Sequence, residues 1–329
     1  MLTTLGVVLP IFALILAGWL ARRTGLLGPH AVAELNRFVV WLALPALLFD
    51  VMARSVGPEI WQPGFLATFG LSSGALLGLT AWLARRRGRP LADAAIDGLN
   101  ASYPNTGYMG FPLALAAFGP AALGPTTIAV ILTVCVVFAG AIVLIEAGLQ
   151  ARGGAEASAE ASARRGPVAL TVALALVRNP LLVAPFCGAL VPLLGFGVPA
   201  PVEAFLKLLG GAASPCALVA LGLFLAERRG VGPSPGPDQR ADRRATARLA
   251  GLKLVAHPLL AYGLGRFVFD LPPLALHTAV LMAALPTGTG PFMLAEFYRR
   301  EAALTADTVL VSTVLSVVTV SAYLALVAG

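Results

Sequence analysis

Two short stretches hold most of the residues whose types and spacing could do chemistry. The first reads Ser102-Tyr103-Pro104-Asn105-Thr106-Gly107-Tyr108-Met109-Gly110-Phe111-Pro112, the second Pro286-Thr287-Gly288-Thr289-Gly290-Pro291. Each lies inside a long apolar run. Proline removes a backbone donor and clashes with the preceding turn, and glycine lowers the cost of unwinding. Each stretch is therefore expected to break a helix. Unwound backbone at membrane depth is tolerated only where it is buried in protein or lines a cavity. Two such breaks at matching positions of a chain point to a binding site. Ordinary proline kinks are the alternative for either stretch alone, but the Gly, Thr and Asn packed between prolines favour a site.

A helix that restarts after a break presents N–H groups without intrahelical acceptors, and such ends attract anions. The restarts are expected near Phe111 and Phe292. Asn105 adds an amide that donates and accepts, and Thr106, Thr287 and Thr289 add hydroxyls. No carboxylate lies near either break, whereas exchange of cations for protons needs a titratable acid at that depth. The expected ligand is an anionic or neutral organic solute. The candidate binding residues are Pro104, Asn105, Thr106, Gly107, Gly110, Pro112, Pro286, Thr287, Gly288, Thr289, Gly290 and Pro291, with Pro45 and Lys253.

Lys253 reads either as a counter-ion or as a lysine snorkelling from near the cytoplasmic end of its span. His257, one turn deeper, could carry a proton or simply pack as a neutral ring. Asp50, Arg37 and Lys207 fall near span ends, and Glu146 and Glu296 are expected to be solvated at cytoplasmic ends. His30, His257 and His277 show no metal spacing. Cys135, Cys187 and Cys216 all sit in apolar runs as small hydrophobes. There is no nucleophile elbow or phosphate loop. No catalytic residue, metal or cofactor is expected, and the chain does not read as an enzyme.

The elements that must position these residues follow from composition. The chain has 329 residues, 58% of them hydrophobic and 12% charged, with a mean hydropathy of +0.86. Soluble domains carry about 25% charged residues, and a spanning helix needs about 20 apolar ones. Ten spans are predicted, near 3–21, 34–53, 63–84, 98–118, 124–147, 178–195, 202–225, 247–268, 275–295 and 305–327, with a short apolar segment at 167–177. The net charge of +7 reads as membrane topology rather than as nucleic-acid binding. Loops after odd-numbered spans hold nearly all the loop arginines, Arg22, Arg85, Arg164 and Arg243 among them, while loops after even-numbered spans hold only Arg54 and Arg266. The positive-inside rule then puts the odd loops in the cytoplasm and both termini outside. The first run lacks a basic flank before it and reads as a span rather than a cleavable signal.

The halves match at an offset of 170 residues: Pro10, Gly18, Gly25, Pro29 and Pro45 fall on Pro180, Gly188, Gly195, Pro199 and Pro215. The offset grows to 182 for Pro104 and Pro286. Five spans per half is odd, so the second copy enters from the other side. The predicted units are 1–148, a cytoplasmic linker at 149–166, and 167–329 with a flexible loop at 227–246.

Several of these motifs together resemble the auxin efflux carrier family, including its bacterial malonate- and malate-transporter-like members. They are Leu35-Asn36-Arg37-Phe38, the run from Leu42 to Leu48 around Pro45, and the run from Asn105 to Pro112. Later come Arg178-Asn179-Pro180, Lys253 through Pro258, Leu285-Pro286-Thr287, and Phe292 through Tyr298, then Ser312-Thr313 and Leu315-Ser316. The resemblance implies an all-α membrane protein of ten helices in two inverted five-helix repeats, with crossed broken helices, the fold of bile-acid symporters and sodium–proton antiporters. It implies a scaffold of spans 1, 2, 6 and 7, a transport unit of spans 3–5 and 8–10, and elevator-type movement. It also implies that Asn105 faces substrate. Family members often carry Asn where Gly290 stands here, which removes one polar contact.

The expected function is secondary transport of small organic anions, carboxylates such as malonate, malate or auxin-like acids, across a bacterial inner membrane. The partners would be the anion, the bilayer and a second copy through the scaffold. A sodium-coupled bile-acid-type symporter and a membrane-embedded ligand sensor are the alternatives.

Overall fold

The computed structural model describes residues 2–54, 62–155, 179–228 and 237–328. The regular elements among them are helices. In chain order they are α1 (Leu2–Arg23), α2 (Ala31–Ala53), α3 (Pro63–Arg86), α4 (Leu91–Ser102), α5 (Thr106–Phe118) and α6 (Pro120–Ala151). Then come α7 (Pro180–Leu193) and α8 (Ala200–Glu227), followed by α9, which joins Pro237–Gly251 to His257–Phe267 through a π turn at Leu252–Ala256. The last are α10 (Pro273–Ala284), α11 (Gly290–Phe297) and α12 (Ala302–Val327). Five of these, α2, α3, α6, α8 and α12, are long and apolar enough to cross a membrane; α5, α7 and α10 are shorter apolar helices.

Local chemistry sets many of the boundaries. Proline opens α3, α7 and α10, where its missing N–H costs nothing and its fixed φ suits the first turn. Asn179 caps α7, its Oδ1 accepting the Leu181 N–H at 3.0 Å. Residues 237–246, expected within a flexible loop, instead begin α9. Pro237 can stand at a helix start, and the Ala, Arg and Gln that follow are good helix formers. The rest of that loop at 229–236, the linker beyond Ala155 and the apolar segment 167–177 lie outside the described residues.

The helices pack in two groups. α1 lies along the second part of α8, and α7 along the second part of α2. Elsewhere α3 packs on α4, α4 on α6, and α9 on α10 and α12. In the first group the helix backbones touch. A Cβ on Gly18 would strike the Val219 carbonyl, and one on Gly188 would strike the Phe49 carbonyl. Only glycine permits either approach. Each pair is the other displaced by 170 positions, 18 to 188 and 49 to 219.

The second group encloses the broken helices. From Ala92 to Ser102 every residue of α4 is buried, as is α11 from Gly290 to Ala295. Helices buried on all sides place their ends inside the protein, where each unpaired backbone group must find a partner.

Candidate functional site

The two breaks meet. α4 stops at Ser102 and α10 at Ala284, and the unwound segments that follow them cross as an isolated antiparallel bridge between Pro104 and Thr287. The Asn105 N–H donates to the Pro286 carbonyl at 2.8 Å, and the Gly288 N–H donates to the Tyr103 carbonyl at 3.0 Å. Thr287 adds two more ties. Its Oγ1 donates to the Asn100 carbonyl at 2.8 Å, and its N–H donates to Ser312 Oγ at 3.1 Å. Groups freed by the prolines of one break are thus satisfied largely by the other.

The chain rewinds earlier than Phe111 and Phe292. α5 starts at Thr106 through a π turn over Thr106–Gly110, and α11 starts at Gly290. Pro291 therefore lies just after a helix start, where proline continues the winding rather than breaking it, while Pro112 lies inside α5, directly beyond its π turn. Glycine alone, at 107 and 110, does not keep the segment open.

A cavity of about 260 Å³ opens beside the crossing. Tyr103, Pro104, Asn105, Thr106, Gly107 and Tyr108 line it from the first break, and Thr289 and Gly290 from the second. Its far walls are apolar or small: Val39, Leu44, Leu47 and Val51 of α2, Val130 and Val134 of α6, and Gly210, Gly211, Ser214 and Pro215 of α8. No charged side chain lines it. Its polarity comes from amide, hydroxyl and backbone groups. Asn105 brings its amide to the lining, and Thr106 Oγ1 is buried without a partner among the described residues. Buried polar groups are ordinarily paired, so the Thr106 hydroxyl is poised for something the protein itself does not supply. The starts of α5 and α11 both reach the cavity, and a helix N-terminus carries partial positive charge. Gly107 and Tyr108 have no backbone acceptor for their N–H groups among the described residues.

The structure divides the candidate residues. Pro104, Asn105, Thr106, Gly107, Thr289 and Gly290 line the cavity. Pro286, Thr287 and Gly288 build the crossing behind it. Gly110 faces the Met282 sulfur, 3.1 Å from where a Cβ would stand, and Pro112 and Pro291 lie within α5 and α11. Pro45 lies in α2 between residues that line the wall, while Pro215, its counterpart in the other half, lines the cavity itself.

Lys253 neither snorkels nor reaches the cavity. It is wholly buried in the π turn of α9, and its ammonium donates to the carbonyls of Ala283 at 2.6 Å and Leu285 at 2.7 Å. His257 is also buried away from the cavity. Its Nε2 lies 3.0 Å from Ser73 Oγ on α3, and its Nδ1 has no partner. Glu146 is not simply solvated, because its carboxylate accepts the Tyr298 hydroxyl at 2.7 Å.

Tyr103 is one of the lining residues that composition and spacing do not single out. A Cβ on Gly290 would fall 2.7 Å from its Cζ, and one on Gly288 would fall 2.9 Å from its Cε1. The ring packs closely against the second break, leaving no room for a Cβ at either glycine. The signal was present: an aromatic immediately before Pro104, facing a Gly-Thr-Gly.

An ionic network fastens α4 to the loop after α11. Arg300 grips Asp93 through Nε and a second nitrogen at 2.6 and 2.8 Å, and Arg89 pairs with Asp97 at 3.0 Å and Glu301 at 3.2 Å. The Asp93 hydrogen bond holds the Arg300 guanidinium above its ordinary pKa range. Among the described residues no group of His, Cys, Asp and Glu could hold a metal ion.

Comparison with known proteins finds transporters similar to this chain along nearly its whole length. Residues 3–324 match the family described as membrane transport protein. The chain is 33% identical over 324 residues to a Rhizobium meliloti (strain 1021) protein named "Putative malonate transporter", covering 98% of this chain and 95% of that one. It is 27% identical to an "Uncharacterized transporter" of Methanothermobacter thermautotrophicus, over 94% of each chain. It is also 33% identical over 141 residues to auxin efflux carrier component 3a of rice (Oryza sativa subsp. japonica), covering 41% of this chain and 22% of that one.

Proposed function

The chain belongs to the membrane transport protein family, a multi-pass membrane transporter and not an enzyme, and from that premise we propose that it carries small organic anions, with carboxylates of the malonate and malate class first among them. The observation that carries this is the crossing of two helix breaks beside one cavity whose lining holds no charged side chain. An anion there would meet the Asn105 amide, the Thr106 and Thr289 hydroxyls, and the starts of α5 and α11. Hydrogen-bond donors and helix N-termini suit carboxylate oxygens. A carboxylate in the lining would repel them. The relative named as a malonate transporter matches this chain from end to end and supports the same class.

The mechanism we infer is elevator-type alternating access built on two inverted five-helix repeats, 1–148 and 167–329. Three correspondences support the repeat. The Gly18–Val219 and Gly188–Phe49 approaches share the 170-residue offset. Gly25 and Gly195, at the same offset, both take positive φ, 75° and 73°. At the 182-residue offset, Pro90 and Pro272 precede α4 and α10 with nearly equal dihedrals, φ −54° with ψ 149° and 148°. The group of α1, α2, α7 and α8 would be the scaffold, a surface for a second copy. The remainder would move, carrying the cavity's polar wall past the apolar one. Arginine placement supports periplasmic termini, and a reporter active only in the cytoplasm should stay silent at the C-terminus.

The test is uptake into proteoliposomes across a panel of mono- and dicarboxylates, malonate and malate included, under several ion gradients. Uptake of at least one carboxylate, reduced by Asn105→Ala, is expected. If none moves under any gradient, the substrate class is wrong.

A further inference from the structure

Lys253 is a wholly buried lysine whose described partners are carbonyls, not a carboxylate. The place it occupies is defined by the end of a helix. α10 stops at Ala284 and the chain unwinds through Thr289, so the last carbonyls of α10 have no N–H four residues on. The aligned peptide dipoles leave partial negative charge at that end. In a membrane interior no water is available to satisfy it.

Two kinds of group can. One is a bare alkali cation held by carbonyl oxygens, the arrangement that carbonyl-lined ion sites use. The other is an ammonium. Here the ammonium is attached to the protein. It reaches across from α9 and binds Ala283 O and Leu285 O at 2.6 and 2.7 Å, the short range of charge-assisted bonds. A second cation at the same oxygens would face it within a few ångströms, and like charges so close in a low dielectric repel strongly.

The two breaks differ in this respect. At the end of α4 the Asn100 carbonyl is met by the neutral Thr287 hydroxyl. Among the described residues the lysine therefore stands at the second break and not the first, on the Leu285 carbonyl just before Pro286 and four residues before Thr289 on the cavity wall.

We propose that the Lys253 ammonium is a built-in substitute for a coupling cation: it occupies the seat at the end of α10 that an alkali-metal ion would otherwise take, and the transporter works without sodium. An ammonium there would also set a positive potential behind the anion cavity, tethered to the protein rather than free to leave. Its effect on uptake rests on the anion-transport reading above; its occupation of the seat does not.

Two measurements test the two parts separately. The first is thermal unfolding of the purified full chain in sodium, potassium, methylammonium or choline chloride at equal ionic strength. The wild type should melt at the same temperature in all four. Lys253→Ala should melt lower in choline and recover part of the loss as sodium or methylammonium is raised. The second is carboxylate uptake, expected to be equal in sodium and choline for the wild type. It should be lost in Lys253→Ala and partly restored by the same small cations.

A wild type stabilised or driven by sodium overturns the proposal, and that arm needs no variant to fold. A Lys253→Ala protein that is destabilised but restored by no cation reduces Lys253 to a hydrogen-bonding brace, which also overturns it. Lys253→Gln, which keeps amide donors without charge, is the second variant; it too should respond to small cations, and indifference to them counts against the idea. If the wild type moves no carboxylate, the transport reading fails while the melting series still decides whether the seat is filled by Lys253.

Discussion

Pro104 and Thr287 lie opposite each other at the point where the two broken helices cross, and two backbone hydrogen bonds flank them, Asn105 N–H to Pro286 O at 2.8 Å and Gly288 N–H to Tyr103 O at 3.0 Å. Neither proline has an N–H to lose, so each can stand in the crossing without an unsatisfied donor. The same residues that open the helices also fit the joint between them.

Thr287→Val keeps the side-chain shape and removes the hydroxyl that donates to the Asn100 carbonyl at 2.8 Å. Leaving a buried acceptor unpaired costs about 1–3 kcal/mol. We expect a lower melting temperature with the cavity's binding groups still in place. An unchanged melting temperature would show that the hydroxyl is not part of the joint.

Gly290→Ala puts a methyl group 2.7 Å from Tyr103 Cζ and 2.9 Å from its hydroxyl oxygen. Overpacking of this kind costs about 1–3 kcal/mol, and the ring can yield only toward the cavity it lines. Uptake should fall sharply. Adding Tyr103→Leu should recover stability, so the double variant melts above Gly290→Ala alone. Two strictly additive losses would mean that the ring and the glycine do not meet.

Asn105→Ala separates binding from folding. The backbone of Asn105, not its side chain, makes the crossing bond, and the residue lines the cavity. Stability should therefore change little. Loss of one neutral hydrogen bond to substrate is worth roughly 1 kcal/mol, so the half-saturation concentration should rise about fivefold or more. Normal uptake by this variant would remove Asn105 from the site.

Tyr298→Phe breaks a link between helix groups. The Tyr298 hydroxyl donates to Glu146 at 2.7 Å and accepts from Asn179 Nδ2 at 3.3 Å, tying the end of α11 and α6 to the start of α7. Hydrogen bonds to a charged group contribute about 1.5–3 kcal/mol. The variant should melt lower, and its maximal uptake rate should change while the half-saturation concentration stays put. A shift in half-saturation alone would contradict a role at the junction of the groups.

Much of the helical layout was legible because its causes are local. The apolar runs, the proline-led starts of α3, α7 and α10, and the two interruptions all follow from residues acting on their own turn. The misreadings have a common origin as well. The run Gly232-Pro233-Ser234-Pro235-Gly236-Pro237 colours its whole neighbourhood as loop, yet the residues after Pro237 are helix formers and wind. The expected restarts at Phe111 and Phe292 came too late, because glycines and a π turn permit winding that composition alone does not reveal.

The sequence by itself determined where the chain must come apart: proline withholds an N–H and glycine relaxes the backbone wherever they stand, so the breaks at Pro104 and Pro286 needed no other part of the molecule. It could not determine what each freed group would then bind. Spacing alone reads Lys253 as a counter-ion or a snorkelling lysine and Glu146 as solvated, and it gives Gly290 no neighbour. The fold instead set the first on carbonyls 30 and 32 residues away, the second on a tyrosine 152 residues away, and the third beneath the Tyr103 ring. A hydrogen bond or a close approach depends on which helix lies alongside, and that is decided only when the buried faces of distant segments are packed together.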